Sequence, residues 1–301
     1  MLDFRVDTFL AVCRCMSFTR AAAALHITQP AVSQHIRALE AQYGVRFFSF
    51  EGKKLTLTDA GRLFLRTATT MRHDAQHLRD ALGSLSGGGR RLVFGATLTI
   101  GEYVMPAPLA RLLAAEPNVS LRMIVANTAE LLRGLDRGDI DFAIVEGFFE
   151  KSEYDSLSYL TERYVAVCAP GYRFRQPVHT LEDLLGERLL TREPGSGTRE
   201  ILERRLREHN LTVRDFRAVT EIGSLNAIKA LVRMGQGVAF LYEPTVRAEL
   251  ESGALREIAL SGFPVLHDFT FLWRKSSVFA QTYREIFDLL RTASDSKREE
   301  A

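Results

Sequence analysis

Cysteine, net charge and long apolar runs are all scarce in this chain, and each scarcity excludes something. Three cysteines (Cys13, Cys15 and Cys168) among 301 residues form no spaced framework, so a disulfide-stapled fold is excluded and a reducing compartment is expected. No apolar run approaches the roughly 20 residues of a membrane span. The opening Met-Leu-Asp-Phe-Arg lacks the basic-then-apolar pattern of a secretory signal. The expectation is a cytoplasmic protein with no membrane partner. Catalytic motifs are missing as well. No P-loop Lys-Ser/Thr follows the glycines at 195 and 197, no GxGxxG or GxSxG occurs, and no His/Cys/Asp cluster has metal spacing. The sequence thus predicts no enzyme, no metal and no cofactor. Charged residues at 25% and hydrophobic residues at 46% exclude disorder by composition. At about 100–200 residues per domain, the length suggests two domains or three.

A formal net charge of only +2 argues at first against a nucleic-acid partner, but the sum conceals its parts. Residues 1–90 hold 12 basic and 7 acidic residues, a net +5, and residues 91–301 hold 27 and 30, a net −3. The sign changes at Ser84-Leu85-Ser86-Gly87-Gly88-Gly89-Arg90-Arg91, a flexible joint. A basic module joined to a neutral or acidic one is expected.

Within the basic module, Val6, Phe9, Leu10 and Cys13 recur on one helix face that Asp3 can start. Cys13 and Cys15 point to different faces of that helix and form no redox pair. Ser17 can cap a short helix over Phe18–Leu25, and His26-Ile27-Thr28 breaks it. Thr28 can cap the next helix, with Pro30 in its first turn, running to about Tyr43. Ala31, Val32, Ile36 and Leu39 face inward, leaving Gln29, Ser33, Gln34 and Arg37 outside. This is a helix-turn-helix with a second helix sized for the major groove, where Gln and Arg make bidentate contacts to base edges. Beyond Gly44, residues 45–58 read as two short strands around Glu51-Gly52-Lys53-Lys54, a basic wing near phosphates.

The run Phe18-Thr19-Arg20-Ala21-Ala22, Leu25, Thr28-Gln29-Pro30-Ala31-Val32-Ser33-Gln34, Ile36, Leu39-Glu40, Gly44, Phe47-Phe48, Leu57-Thr58 and Ala60-Gly61 resembles the N-terminal domain of LysR-type transcriptional regulators. The resemblance implies DNA contacts at Thr28, Gln29, Pro30, Ser33, Gln34 and Arg37, with Lys53 and Lys54 as the basic wing. Phe50 departs from the pattern, standing where the family usually has a basic residue.

Thr58-Asp59 opens a helix ending near Leu85. Phe64, Ala68, Met71, Ala75, Leu78, Leu82 and Leu85 form a heptad seam about 30 Å long at 1.5 Å per residue. Homodimerisation through Phe64, Met71, Leu78, Leu82 and Leu85 is the expectation. A two-fold dimer would put two reading helices on DNA half-sites with dyad symmetry. The family resemblance implies the same dimer, and tetramers in addition. His73 and His77 share a face at metal spacing but lack a third ligand and read as solvated.

From Leu92 onward strands and helices alternate. The expected strands are 92–96, 119–125, 140–145, 159–169, 189–190, 218–222, 238–241 and 267–273. The expected helices are 102–115, one opened by Asn127 and Glu130, 180–185, 197–209, 224–234 and 278–290. Such alternation predicts a parallel sheet covered on both faces. The chain leaves one lobe near Tyr164 and returns near Val265, implying a hinge and a cleft. Residues 91–292 resemble the periplasmic-binding-protein-like effector domain of the same family. The expected organisation is a winged helix-turn-helix at 1–58, a linker helix and hinge at 59–90, and a two-lobed α/β effector domain at 91–301. Its lobe I spans 91–163 and 267–301, and its lobe II spans 164–266.

Ligands of open α/β sheets bind at strand C-termini and helix N-termini. Four segments meet that rule and, by resemblance, line the cleft: Thr97, Thr99 and Ile100; Glu146 and Gly147; Ser196, Gly197 and Thr198; and Ser224 and Asn226. Hydroxyls and helix starts favour an oxyanion or organic acid. Glu146 would favour a zwitterionic amino acid, unless Arg199 or Lys229 offsets it. The expected protein is therefore a DNA-binding regulator modulated by a small anionic or zwitterionic effector.

Overall fold

The computed structural model describes residues 3–52, 54–85 and 91–291. They divide into two compact units: one holds residues up to 85 with the segments 136–139 and 275–279, and the other holds the remainder.

In the first unit, α1 (Phe4–Cys15) is started by Asp3, whose carboxylate accepts from the Arg5 backbone nitrogen at 2.9 Å. Ser17 caps α2 (Phe18–Leu25), and Thr28 caps α3 (Gln29–Tyr43) by accepting from the Ala31 nitrogen at 3.4 Å. All three starts lie where the sequence put them. β1 (Phe48–Glu51) and β2 (Lys54–Leu57) pair with Glu51 opposite Lys54. The hairpin connection is therefore shorter than the four residues expected, and Lys53 lies outside the described residues.

These elements close on Phe9, Ala21, Val32, Ile36, Leu39 and Phe47. Burying a Phe side chain contributes about 1.5–3 kcal/mol. The buried Glu40 carboxylate accepts from the Phe47 nitrogen at 2.8 Å, tying the wing to α3. Gly61 lies so near the wing that an added Cβ would stand 2.1 Å from the Phe47 carbonyl oxygen. Glycine there lets α4 (Asp59–Leu85) depart directly from the hairpin.

The α4 helix has the expected extent, but its seam is divided. Phe64 and Ala68 pack into the unit's own core instead of awaiting a partner. The wing and α1 offer Phe64 a stacked ring (Phe47, 4.4 Å) and an edge-on ring (Phe9, 4.8 Å). Met71, Leu78 and Leu82 remain about half exposed, at 51, 50 and 54%. The Leu85 side chain lies outside the description. The expectation of solvated histidines is corrected: His73 is buried beside Gly138, and the His77 ring meets Phe279 at 4.3 Å.

In the second unit, β3 (Arg91–Ala96), β4 (Ser120–Val125) and β5 (Phe142–Val145) are parallel in one lobe. In the other lobe β7 (Arg188–Thr191), β8 (Ala218–Glu221) and β9 (Val238–Tyr242) are parallel. Two long strands, β6 (Tyr154–Cys168) and β11 (Val265–Arg274), join these sets into one nine-stranded sheet, and the short β10 (Arg256–Glu257) pairs with β6. Both long strands are antiparallel to their neighbours, so the expected all-parallel sheet is corrected to a mixed one. Tyr164 is opposite Val265 on one side and Tyr242 on the other.

Helices α5 (Pro106–Ala115), α6 (Thr128–Arg137), α7 (Gly197–Glu208), α8 (Leu225–Arg233), α9 (Glu243–Glu251) and α10 (Ala280–Arg291) complete the unit. The helix expected at 102–115 is interrupted. Residues Ile100–Val104 form a π turn in which the Met105 nitrogen reaches the Ile100 carbonyl at 2.8 Å, and α5 then restarts at Pro106, which has no N–H to continue the ladder. The helix expected at 180–185 is a 3-10 turn, Glu182–Gly186. The α9 helix was not anticipated. Among the described residues no helix is long and apolar enough to cross a membrane.

Candidate functional site

The outward face of α3 in the first unit carries Gln29, Pro30, Gln34 and Arg37 exposed and Ser33 half-buried. Its opposite face is anchored by Val32, Ile36 and Leu39, each at most 3% exposed. The Gln29 amide donates to the Ser33 hydroxyl at 3.0 Å, so two of the named side chains already share a geometry. Thr28 spends its hydroxyl on the cap. Lys54 is exposed on β2, and Phe50 on β1 stands 68% exposed. Polar groups on a rigid helix with a hairpin beside it suit base edges and phosphates.

In the second unit the candidate residues fall into two groups. Thr97 follows directly on β3, and its nitrogen donates to the Ile144 carbonyl at 3.2 Å. Glu146 and Gly147 follow directly on β5. Across from them, Glu146 Oε1 accepts from the Thr198 nitrogen at 3.2 Å and the Thr198 hydroxyl at 2.7 Å, at the first turn of α7. A Cβ added to Gly197 would lie 2.5 Å from Glu146 Cγ, and one added to Gly147 would lie 2.6 Å from Thr128 Oγ1. Gly197 is required by the approach of the two lobes, and Gly147 by the close packing of Thr128 within its own lobe. Nearby, the Phe148 nitrogen donates to Glu200 at 3.2 Å.

Several polar atoms here are buried without a hydrogen-bond partner among the described residues: the Thr97, Thr128 and Ser196 hydroxyls, Glu146 Oε2 and Arg192 Nη1. Ser196 occupies an N-cap position yet caps nothing. The Thr99 hydroxyl lies close enough to Glu146 to favour its charged form without meeting hydrogen-bond geometry. Leaving such groups unmade costs about 1–3 kcal/mol each. Buried polar groups are ordinarily hydrogen-bonded, so these orphans beside strand ends and helix starts form a candidate site for a polar ligand.

Burial raises the Glu146 carboxyl above its ordinary 4.5, opposed by the Thr198 and Thr99 hydroxyls and by the charge of Arg192. Arg192 is itself 2% exposed and grips Glu193 with two contacts of 2.8 Å. Tyr164 and Tyr242 are pushed well above 10 by burial and by the Glu146 charge, so both hydroxyls keep their protons. The Tyr164 hydroxyl donates to the Thr198 carbonyl at 2.7 Å.

The second group is different. Ser224 is exposed and accepts from the Ala227 nitrogen at 3.3 Å, an ordinary cap. Asn226 is exposed and accepts from the Tyr103 hydroxyl at 2.9 Å, a contact between the lobes. Ile100 is fully buried, and its carbonyl closes the π turn. Sequence reasoning missed Thr128 and Arg192. Thr128 was hidden behind Asn127, whose side chain does cap α6 at 2.9 Å. Arg192 had a signal, a cation at the end of the apolar strand Leu189-Leu190.

Comparison with known proteins assigns both parts of the chain to one family. Residues 86–295 match the model of the LysR substrate binding domain, and residues 5–62 match that of the bacterial regulatory helix-turn-helix protein, lysR family. The chain is 30% identical over 270 residues to the HTH-type transcriptional regulator YeiE of Escherichia coli, covering 90% of this chain and 89% of that one. It is 31% identical over 293 residues to the HTH-type transcriptional regulator CbbR of Rhodospirillum rubrum, covering 96% of each. Among solved structures, full-length LysG from Corynebacterium glutamicum with bound effector Arg has a TM-score of 0.66 at 20% identity, covering 96% of this chain and 98% of that one. The relatives are regulators, and the chain belongs to the LysR family of DNA-binding transcriptional regulators with an effector-binding domain.

Proposed function

We propose that this regulator reads promoter sites of dyad symmetry in the cytoplasm with the outward face of α3, and that a small anionic or zwitterionic effector seats in the cleft between its lobes. The domain limits are those drawn from the sequence, 1–58, 59–90 and 91–301. Gln29, Pro30, Ser33, Gln34 and Arg37 face base edges. Thr28 opens the helix, and Lys53 and Lys54 meet phosphates. Thr97, Thr99, Glu146, Gly147, Ser196, Gly197 and Thr198 hold the effector, joined by Thr128 and Arg192. Met71, Leu78 and Leu82 provide the apolar stripe for a homodimer, which can pair further into a tetramer. The observation that carries the reading is the cluster of buried, unpartnered polar atoms around Glu146.

The test is twofold. Genomic fragments are selected on the full-length protein, and the selected fragment is then titrated in a gel shift with and without compounds that raise the protein's melting temperature. Expected are one enriched palindromic sequence, a shift weakened by salt as counterions are displaced, and a changed footprint with the stabilising compound. Enrichment of no sequence would sink the DNA half. A stabilising compound whose binding ignores Ser196→Ala and Thr128→Val would sink the cleft half.

A further inference from the structure

The atoms left open in the cleft restrict what fills it. Hydroxyls of Thr97, Thr128 and Ser196 both donate and accept, Arg192 Nη1 only donates, and an ionised Glu146 Oε2 only accepts. The first turn of α7 would be the natural seat for a ligand anion. It is already taken, because the Thr198 nitrogen and hydroxyl are spent on Glu146 Oε1. The protein supplies its own carboxylate there. Arg192, the buried cation beside it, is mostly committed to Glu193, which it holds below the usual carboxylate range against the upward push of burial. The charges around the cleft therefore include three carboxylates, Glu146, Glu193 and Glu200, and the Arg192 guanidinium. A fully deprotonated dianion would meet Glu146 with a single free N–H edge to compensate, at a heavy desolvation cost.

We propose that the ligand is a small, singly charged carboxylate or oxyanion that carries an N–H or O–H donor of its own, with its charged oxygens toward Arg192 Nη1 and the hydroxyls and its donor on Glu146 Oε2. This rests on the reading of the cleft as the effector site. It narrows that reading to one acceptor and one side of the charge balance. Glu146 is then the residue that selects the ligand, while Thr97, Thr128 and Ser196 bind many small anions.

The test is calorimetric titration of the full-length protein with matched C2–C5 acids in 2-amino, 2-hydroxy and unsubstituted forms. Hydrogencarbonate serves as a protonated oxyanion, and sulfate and glycerol 3-phosphate serve as dianions. The expected result is that a donor-bearing member binds about tenfold or more tighter than its unsubstituted partner. That ratio falls toward one in Glu146→Gln and persists in Glu146→Asp, which keeps the carboxylate. Circular dichroism and melting of each variant report whether it is folded. The preferred arm, amino or hydroxy or hydrogencarbonate, tells which donor the site takes. Tightest binding by a dianion or an unsubstituted acid overturns the proposal. So does a ratio that survives in a folded Glu146→Gln, or the absence of binding by every compound. If the ratio survives Glu146→Gln while Ser196→Ala abolishes binding, the donor pairing fails and the cleft site stands. If neither substitution matters, the cleft reading fails as well.

Discussion

The two regions that recognise something are built on opposite plans. On α3 the candidate side chains are exposed apart from the half-buried Ser33, and the Thr28, Gln29 and Ser33 side chains are already hydrogen-bonded. In the cleft the Thr97, Thr128 and Ser196 hydroxyls are buried without hydrogen-bond partners among the described residues. An exposed group loses little while it waits, because water satisfies it. A buried orphan carries a standing penalty that a ligand removes. A surface designed for a polyanion can thus be complete before it binds, while a pocket designed for one small molecule is completed by it.

Substitutions can break or sharpen this contrast. The largest effect is expected at the shared requirement, a packed core. Phe47→Ala should destabilise the first unit by about 3–5 kcal/mol, seen as an early denaturation step with the transition of the other unit in place. Next, Gln34→Ala on the exposed face should weaken specific DNA binding by about 1–3 kcal/mol and leave the melting temperature within a degree or two of the parent. A melting temperature that falls in step with affinity would show that Gln34 supports the fold, and the contrast would be lost.

In the cleft the signs should split. Thr128→Val removes an unpartnered hydroxyl, so the effector-free protein should become more stable, by up to about 1–3 kcal/mol, while effector affinity drops. Calorimetry and melting measured on the same preparation decide whether the two move in opposite directions. Glu146→Gln should follow the same logic through pH. Burial raises the carboxyl above 4.5 in the folded protein, so the parent is favoured where the group is protonated and loses that advantage as pH rises above 4.5. The melting temperature of Glu146→Gln should exceed that of the parent at neutral pH, with the gap closing as pH falls toward 4.5. The smallest effect belongs to Lys54→Ala. It should lower the slope of log affinity against log salt by about one without altering sequence preference.

How much the sequence revealed follows the same division. Asp3, Ser17 and Thr28 were legible because a cap is made with residues two or three positions away, and those neighbours are printed beside it. The outward face of α3 was legible because Val32, Ile36 and Leu39 fix the inward one. Ser196 and Ser224 look alike in sequence, each before a helix, yet one is buried and idle while the other is an exposed cap. What separates them is the approach of β5 to α7, a contact between residues about fifty positions apart, which no local pattern encodes. Phe64 misled for the same reason. Its spacing fits a seam, but the wing, folded back from residues 47–57, reaches its ring first. His73 was covered by Gly138 from farther still.

The crossing between the lobes has a mechanical consequence. It is made by β6 and β11, hydrogen-bonded to each other from Tyr164–Val265 to Tyr154–Arg274 with one irregularity between Phe269 and Thr270. A loop hinge swings freely, but two ribbons laced edge to edge resist bending in their own plane and yield mainly to torsion. Any change in the separation of the lobes must therefore be taken up mainly as twist along this ribbon pair. The irregularity at Phe269 and Thr270 interrupts the regular ladder, so twist there disturbs the fewest paired residues.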